Sequence, residues 1–172
     1  MLSLFNCVTR LMQQYDLTTR EIFDTEKQYL DIQAAIGKPE KFESWILGVS
    51  FRIHEGINRE RDNTTKKVIL EARRYVENHY QDPSLSVEMI CRELHMSPAY
   101  FSTMFRKVTG QTYIAYLTEV RLQKAVELLN ETDDKTYVIA QKVGYQEQNY
   151  FSYVFKKRFG ISPTKYRGTQ NG

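Results

Sequence analysis

One sequence pattern occurs twice in this chain of 172 residues, with a constant distance between the copies. The matching segments are Tyr100-Phe101-Ser102, Phe105-Arg106-Lys107 and Gly110 in the first copy, and Tyr150-Phe151-Ser152, Phe155-Lys156-Lys157 and Gly160 in the second. Each later segment lies fifty residues after its counterpart. A repeat of this kind indicates that one structural unit is used twice, so the fold must accommodate two similar parts.

The first copy has the pattern of two short helices joined by a tight turn. A helix is predicted over 87–94 with Ser86 or its neighbour as N-cap, and a turn at 95–97 follows. Pro98 suits the first turn of the next helix, where a missing N–H costs nothing, and Gly110 is expected to end that helix in a left-handed conformation. Four apolar residues at helical spacing predict its buried side: Phe101, Met104, Phe105 and Val108.

The second copy differs from the first by the length of its turn. Its first helix is predicted over 138–143, and the turn is expected at 144–146. Ile90 corresponds to Ile139 with an offset of 49, whereas later positions are offset by 50, so the second turn contains one more residue. Gly144 can adopt the positive φ that this longer turn requires.

Such a helix pair, with its second helix apolar on one side and small, polar or basic on the other, is typical of the helix-turn-helix. A single helical hairpin is often plain core packing, but packing alone gives no reason to repeat aromatic and basic offsets, and two copies are too few for a solenoid. We predict recognition helices at about 98–108 and 148–159.

Between the copies, residues 112–130 contain no Gly or Pro, which predicts a helix nearly 30 Å long. This length is close to the ~34 Å between successive major-groove faces.

The N-terminal part is also predicted to be helical. One helix face is indicated by Leu4, Val8, Leu11 and Tyr15, and a longer one by Phe42, Trp45, Ile46, Val49, Ile53 and Ile57. Between them, a capping box at 18–21 begins a helix whose buried side is predicted to hold Ile22, Phe23, Tyr29 and Leu30. The polar run 58–67 is either a flexible linker or an exposed helical connection, and we place the domain boundary there, giving a helical region 1–66 and a second domain 67–168.

Composition excludes several classes of protein. The chain is 41% hydrophobic and 26% charged, which is ordinary for a globular protein, and no apolar run approaches the roughly 18 residues that span a bilayer. Without a signal-peptide pattern at the start, a cytoplasmic location without membrane association is expected. Two cysteines and three scattered histidines give no metal-ligand spacing and no nucleophile setting, so we expect no metal, no cofactor and no enzymatic activity.

Charge is unevenly divided between the two regions. Residues 1–66 hold 9 Lys or Arg and 10 Asp or Glu, whereas residues 67–172 hold 15 and 11. The net charges are therefore −1 and +4, and attraction to a polyanion is expected in the second region. A solvated surface with surplus lysine is the alternative explanation of charge alone.

Candidate DNA-contacting residues follow from the faces left outside the predicted core. The candidates for base contacts are Ala99, Ser102, Thr103, Arg106, Gln148, Asn149, Ser152 and Tyr153. The candidates for phosphate contacts are Ser97, Lys107, Lys156, Lys157 and Arg158. Ordinary exposed helix surface remains the alternative for Ala99 and Ser102, and Tyr100 and Tyr150 are interpreted as partly buried packing residues.

Residues 68–168 resemble the DNA-binding domain of the AraC/XylS family of bacterial transcription regulators. The resemblance rests on Tyr116-Leu117, Arg121-Leu122, Ala125, Leu128-Leu129, Ile139-Ala140, Val143-Gly144-Tyr145, Asn149-Tyr150-Phe151, Phe155-Lys156-Lys157, Gly160, Ser162-Pro163 and Tyr166-Arg167. It implies an all-α fold of seven helices, with two helix-turn-helix units bridged by a long linker helix, each placing its second helix in one of two successive major grooves. The family's variable readout positions correspond to 99, 102, 103 and 106, and to 149, 152, 153 and 156.

Residues 39–80 also resemble the helical segment that precedes this domain in response-regulator members, which belong to two-component systems and carry an N-terminal receiver. No receiver sequence is present, so we expect either a fragment or a short relative.

Two functional hypotheses are consistent with these sequence patterns. The first is a sequence-specific regulator that binds double-stranded DNA and acts by recruiting or positioning RNA polymerase. The second is an interaction module, in which residues 1–66 form a homodimer or dock on a sensor domain. An enzyme is disfavoured because no titratable cluster supports one.

Overall fold

The computed structural model describes residues 2–23 and 39–170, and all regular structure within them is helical. The helices are α1 (Leu2–Gln14), α2 (Thr19–Phe23), α3 (Pro39–His79), α4 (Val87–Glu93), α5 (Pro98–Thr109), α6 (Tyr113–Glu131), α7 (Thr136–Lys142), α8 (Gln148–Phe159) and α9 (Pro163–Gln170). The chain divides into two compact units, 1–66 and 67–172. The predicted all-α class with two helix-turn-helix units is confirmed.

The N-terminal unit packs α1 and α2 against the first part of α3. Its buried residues are Val8, Leu17, Ile22, Phe23, Val49 and Ile53. The predicted capping box is present: the Thr18 N–H donates to the Glu21 carboxylate (2.8 Å), and the Glu21 N–H donates to the Thr18 hydroxyl (3.3 Å). Two further predicted core residues, Tyr29 and Leu30, lie outside the described residues.

The polar run 58–67 lies inside helix α3, so of the two alternatives the helical connection is the one observed. Its helical conformation has a local cause, because no Gly or Pro occurs between Ile57 and Asp82. The residues of α3 from Lys67 onward belong to the second unit, where Ile69, Ala72 and Val76 are buried.

Helices α4 and α5 form the first helix-turn-helix. Phe101, Met104 and Phe105 of α5 are buried against α4, the end of α3 and the start of α6. The prediction that Val108 completes this stripe is wrong, because its side chain is 43% exposed. Val108 shares the helical face of Phe101, but it lies in the last turn of α5, where it borders an open groove with Arg73 and Gln111.

Helix α6 connects the two helix-turn-helix units and contributes to both of their cores. Thr112 caps it by accepting a hydrogen bond from the Ala115 N–H (3.2 Å). Its first half supplies Tyr113, Tyr116 and Leu117 to the first core, and its second half supplies Leu122, Ala125 and Leu129 to the second. The helix predicted over 112–130 therefore also forms part of both hydrophobic cores.

Helices α7 and α8 form the second helix-turn-helix, and α9 closes it. Phe151 and Phe155 of α8 are fully buried, and Tyr166 of α9 packs edge-on against Phe155. Five residues separate α7 from α8, whereas four separate α4 from α5, so the extra residue in the second turn is confirmed.

A positive φ occurs in both turns. Gly144 has a φ of 89°, as predicted, but His95 in the shorter turn has a φ of 53°. The left-handed residue is therefore a property of both turns and does not depend on the longer one. A second feature explains glycine at 144: a Cβ there would overlap the Tyr80 carbonyl oxygen and lie 2.9 Å from Arg121 Nε.

We expect Gly144→Ala to lower the free energy of unfolding by roughly 3 kcal/mol or more, because left-handed strain of about 1–2 kcal/mol is added to an overlap with backbone. Gly110→Ala and Gly160→Ala are matched controls, since both glycines have positive φ but an added Cβ would meet no atom within 4 Å. Each control should lose only the strain, about 1–2 kcal/mol. Urea unfolding followed by circular dichroism measures all three, and equal losses would contradict the packing argument.

Candidate nucleic-acid interface

The inward faces of α5 and α8 are fixed by the same pair of aromatic residues. Phe101 and Phe105 have ring centroids 5.5 Å apart, and Phe151 and Phe155 have centroids 5.8 Å apart. All four rings are fully buried. Each helix ends at a left-handed glycine, Gly110 or Gly160. Burial of these rings determines which side chains of each helix face solvent.

The exposed face of α5 carries the residues predicted for it. Ala99, Ser102, Thr103 and Arg106 are all exposed, as are Ser97 and Lys107. The Ser97 hydroxyl caps the helix by accepting a hydrogen bond from the Tyr100 N–H (3.4 Å), which leaves its own proton free to donate. The Thr103 hydroxyl donates to the Ala99 carbonyl (3.0 Å), which leaves its methyl group and an acceptor lone pair available.

The exposed face of α8 is more polar. Gln148, Asn149 and Tyr153 are exposed, and Ser152 is partly buried. Lys156 and Lys157 are exposed, and within the described part of the chain neither lysine forms an ion pair. This side of α8 therefore presents amide, hydroxyl and ammonium groups to solvent.

Arg158 has a different environment from the neighbouring lysines. Its Nε and Nη2 donate to the two carboxylate oxygens of Glu119 on α6, at 2.8 and 2.9 Å. The hydrogen bond from Arg158 lowers the pKa of Glu119, and the same contact raises the pKa of Arg158. The side chain therefore braces the end of α8 against α6, a role that the spacing of basic residues alone did not indicate.

Two aromatic residues lie outside the predicted set. Tyr100 is 58% exposed and Tyr150 is 61% exposed, so the interpretation of both as partly buried packing residues is wrong. Each directly precedes a buried phenylalanine, and one helical residue rotates a side chain by about 100°, which turns these rings away from the core. The position of each tyrosine next to a buried phenylalanine was therefore sufficient to predict its exposure. Ile114 is likewise exposed and borders a groove with Ser102, Thr103 and Arg106.

Neither a metal-binding cluster nor a membrane-spanning helix occurs among the described residues. Among residues 2–23 and 39–170, no three His, Cys, Asp or Glu side chains are grouped so that they could hold a metal ion. No helix in these ranges is long and apolar enough to cross a membrane.

The fold and the two exposed helix faces define a double helix-turn-helix domain. The helix-turn-helix domain family matches residues 90–169. The chain is 30% identical over 125 residues to the arabinose operon regulatory protein of Escherichia coli (strain K12), covering 73% of this chain and 41% of that protein. It belongs to the AraC/XylS family of transcription regulators. The chain spans less than half the length of the curated relatives that it matches.

Solved structures with a similar fold include a response-regulator domain and a DNA-binding domain. The C-terminal domain of AraT, a response regulator from Geobacillus stearothermophilus, is 40% identical with a TM-score of 0.58, covering 59% of this chain and 84% of that one. The DNA-binding domain of AdpA, a global transcriptional factor solved in complex with a target DNA, is 25% identical with a TM-score of 0.56, covering 59% and 90%.

We expect Glu119→Gln to destabilise the protein at pH 7 but not at low pH. The pKa of Glu119 is lowered in the folded state, so its pairing stabilises above the unfolded pKa of about 4.3 and is lost as pH falls through the folded value. Urea unfolding of both proteins at pH 7 and near pH 3 measures this difference. Glu131→Gln, an exposed change on the same helix without an ion pair among described residues, should show no such convergence. A pH-independent difference for Glu119→Gln would contradict the interpretation.

Proposed function

We propose that this protein is a sequence-specific regulator of transcription that binds double-stranded DNA through α5 and α8, placed in successive major grooves. The observation that carries this proposal is the pair of equivalent helices, each held by a buried Phe pair and exposing a polar or basic face. The DNA complex of AdpA supports it, because that protein shares the fold. Helix α6 is about 28 Å long, which is close to the separation of successive grooves.

In this proposal the two helices read bases by different chemistry. On α8, Asn149 or Gln148 pairs with adenine through two hydrogen bonds, and Ser152 and Tyr153 add hydroxyl groups. On α5, Ala99 and the Thr103 methyl group contact thymine methyl groups. Thr103 is suited to this contact because its hydroxyl proton is already donated to the Ala99 carbonyl. The remaining α5 readers are Ser102 and Arg106, which is long enough to reach guanine.

Phosphate contacts position the helices in this proposal. Lys156, Lys157 and Lys107 supply positive charge, and the Ser97 hydroxyl donates its free proton. Arg158 was also predicted for this role, but its bidentate pair with Glu119 engages two of its N–H donors and offsets its positive charge. We therefore propose Arg158 as a brace for α8 that contributes only secondarily to phosphate binding.

The N-terminal unit, residues 1–66, is proposed to mediate association of two copies or coupling to a signalling domain. Leu47 and Phe51 are both exposed and lie one turn apart on α3, so they form an adjacent pair of exposed apolar side chains. Sedimentation of the chain and of its Phe51→Glu variant tests the homodimer, which should be lost in the variant. Because the chain is similar to response-regulator domains, we also propose that it acts in a two-component system. It would act in the cytoplasm by recruiting or positioning RNA polymerase.

Selection of bound duplexes from random DNA should recover a site with two boxes whose centres are about one helical turn, 10–10.5 base pairs, apart. The chain should be used intact, and the recovered affinity should fall steeply with salt because several phosphates are neutralised. Recovery of a single box would argue against simultaneous use of α5 and α8. A flat salt response would argue against DNA as the partner.

Asn149→Ala and Lys157→Ala should have distinct effects on binding to the selected duplex and to random duplex. Asn149→Ala should cost about 1–3 kcal/mol on the selected duplex and little on random DNA, because a base contact is lost. Lys157→Ala should weaken both and reduce the salt slope by about 1, because a phosphate contact is lost. Titration by fluorescence anisotropy measures both, with Gln123→Ala, an exposed change on α6, as control. Equal losses on both DNAs for Asn149→Ala would remove it from the base-reading set.

A further inference from the structure

Arg121 lies in the middle of α6 and is the one charged residue that is buried among those the structure describes. Its Nε donates to the Tyr80 carbonyl (2.9 Å), and its Nη2 donates to the Asp82 carbonyl (2.7 Å). Both acceptors are backbone groups just after α3, in the segment that leads into the first helix-turn-helix. Leu85, three residues later, is buried in the first core and donates its N–H to the same Asp82 carbonyl (3.1 Å). Arg121 therefore holds the backbone segment that leads into the first helix-turn-helix.

The same guanidinium group contacts the second unit. Its carbon lies 5.4 Å from the ring centroid of Tyr145, in the turn between α7 and α8. Tyr145 is buried in the second core, and its ring centroid lies 5.4 Å from that of Phe151, the first buried aromatic residue of α8. The Arg121 side chain thus contacts both the backbone segment that precedes the first helix-turn-helix and the turn that precedes α8.

Glycine at 144 makes this close approach possible. His95 and Gly144 occupy equivalent turn positions, since Met96 N–H donates to the Cys91 carbonyl and Tyr145 N–H donates to the Ala140 carbonyl. Both positions have positive φ, and a Cβ at 144 would overlap the Tyr80 carbonyl oxygen and lie 2.9 Å from Arg121 Nε. The second turn therefore lies directly against the segment at 80–82.

We propose that Arg121 is a positioning residue that holds the two helix-turn-helix units in one relative orientation, and thereby restricts the spacing between DNA boxes that the protein accepts. This inference rests on the proposed function. A planar guanidinium suits the role because it can donate to two carbonyls in fixed directions while stacking on an aromatic ring, which an ammonium cannot do. Helix α6 sets the distance between the units, and Arg121 restrains the second unit against rotation about that helix.

The dependence of affinity on the number of base pairs between the two boxes tests this proposal. One added base pair moves a box by about 3.4 Å along the duplex and about 34° around it. Two linked readers held in one orientation lose their simultaneous engagement when the boxes are displaced, whereas loosely linked readers adapt to the change. The selected two-box duplex, the same duplex with one base pair inserted between boxes, and a single-box duplex are the probes.

The protein should bind the inserted duplex about tenfold or more weakly than the original. In Arg121→Met and Arg121→Lys this penalty should fall to about twofold, with weaker binding to the original spacing and unchanged binding to the single box. Gln123→Ala, on the same helix and exposed, should keep the full penalty. An unchanged penalty in folded Arg121 variants would overturn the proposal.

A second pair of variants covers the case in which Arg121 variants do not fold. Tyr145→Leu removes the ring that the guanidinium stacks on, and Tyr145→Phe keeps it. The leucine variant should show the reduced penalty, and the phenylalanine variant should show the full one. Identical penalties in these two folded proteins would also count against the proposal.

A measurement without DNA separates this inference from the proposed function. Spin labels at Thr103→Cys and Tyr153→Cys report the distance between α5 and α8. The labelled protein also carries Cys7→Ser, because Cys7 is exposed whereas Cys91 is buried. Pulsed electron resonance should give one narrow distance distribution, broadened by Arg121→Lys. If the unaltered protein binds no duplex, the proposed function is wrong. The distance distribution between α5 and α8 still tests whether Arg121 fixes their relative orientation. A distribution that Arg121→Lys leaves unchanged would refute the positioning role.

Discussion

Helix α6 is the element on which the C-terminal unit depends, because its side chains complete two separate hydrophobic cores. Tyr113, Tyr116 and Leu117 pack with the first helix-turn-helix, and Leu122, Ala125 and Leu129 pack with the second. Each unit is too small to bury its aromatic residues alone, so each requires one half of the helix. The linker is consequently a structural part of both units, and changes in its packing are transmitted to both exposed faces.

Within each unit, burial of a phenylalanine pair determines what the opposite side of the recognition helix presents. Because Phe101 and Phe105 or Phe151 and Phe155 face inward, the small residues of α5 and the amide, hydroxyl and basic residues of α8 face outward. The repeat thus conserves the inner face while the outer faces differ in chemistry. In the proposed function, the two helices therefore share a fold but recognise different base sequences.

Sequence patterns located the outward faces well but failed where a neighbouring element decides the environment. The exposure of Tyr100 and Tyr150 follows from helical rotation and could have been deduced. The exposure of Val108 could not, because it depends on how far the packing partners extend beside the last turn of α5. Nor could the pairing of Arg158 with Glu119, which lie 39 residues apart and meet only after α8 packs beside α6.

The sequence by itself determined the repeated unit, the position of the second helix in each helix pair, the extra residue in the second turn and the capping box at 18–21. These features are local: a helix face, a cap or a left-handed glycine depends on residues within a few positions of one another. Only the tertiary structure decided that Arg121 joins Tyr80, Asp82 and Tyr145, and that Gly144 must accommodate the Tyr80 carbonyl. Those contacts join residues distant in sequence, and periodicity along one helix contains no information about which backbone carbonyls will lie beside it.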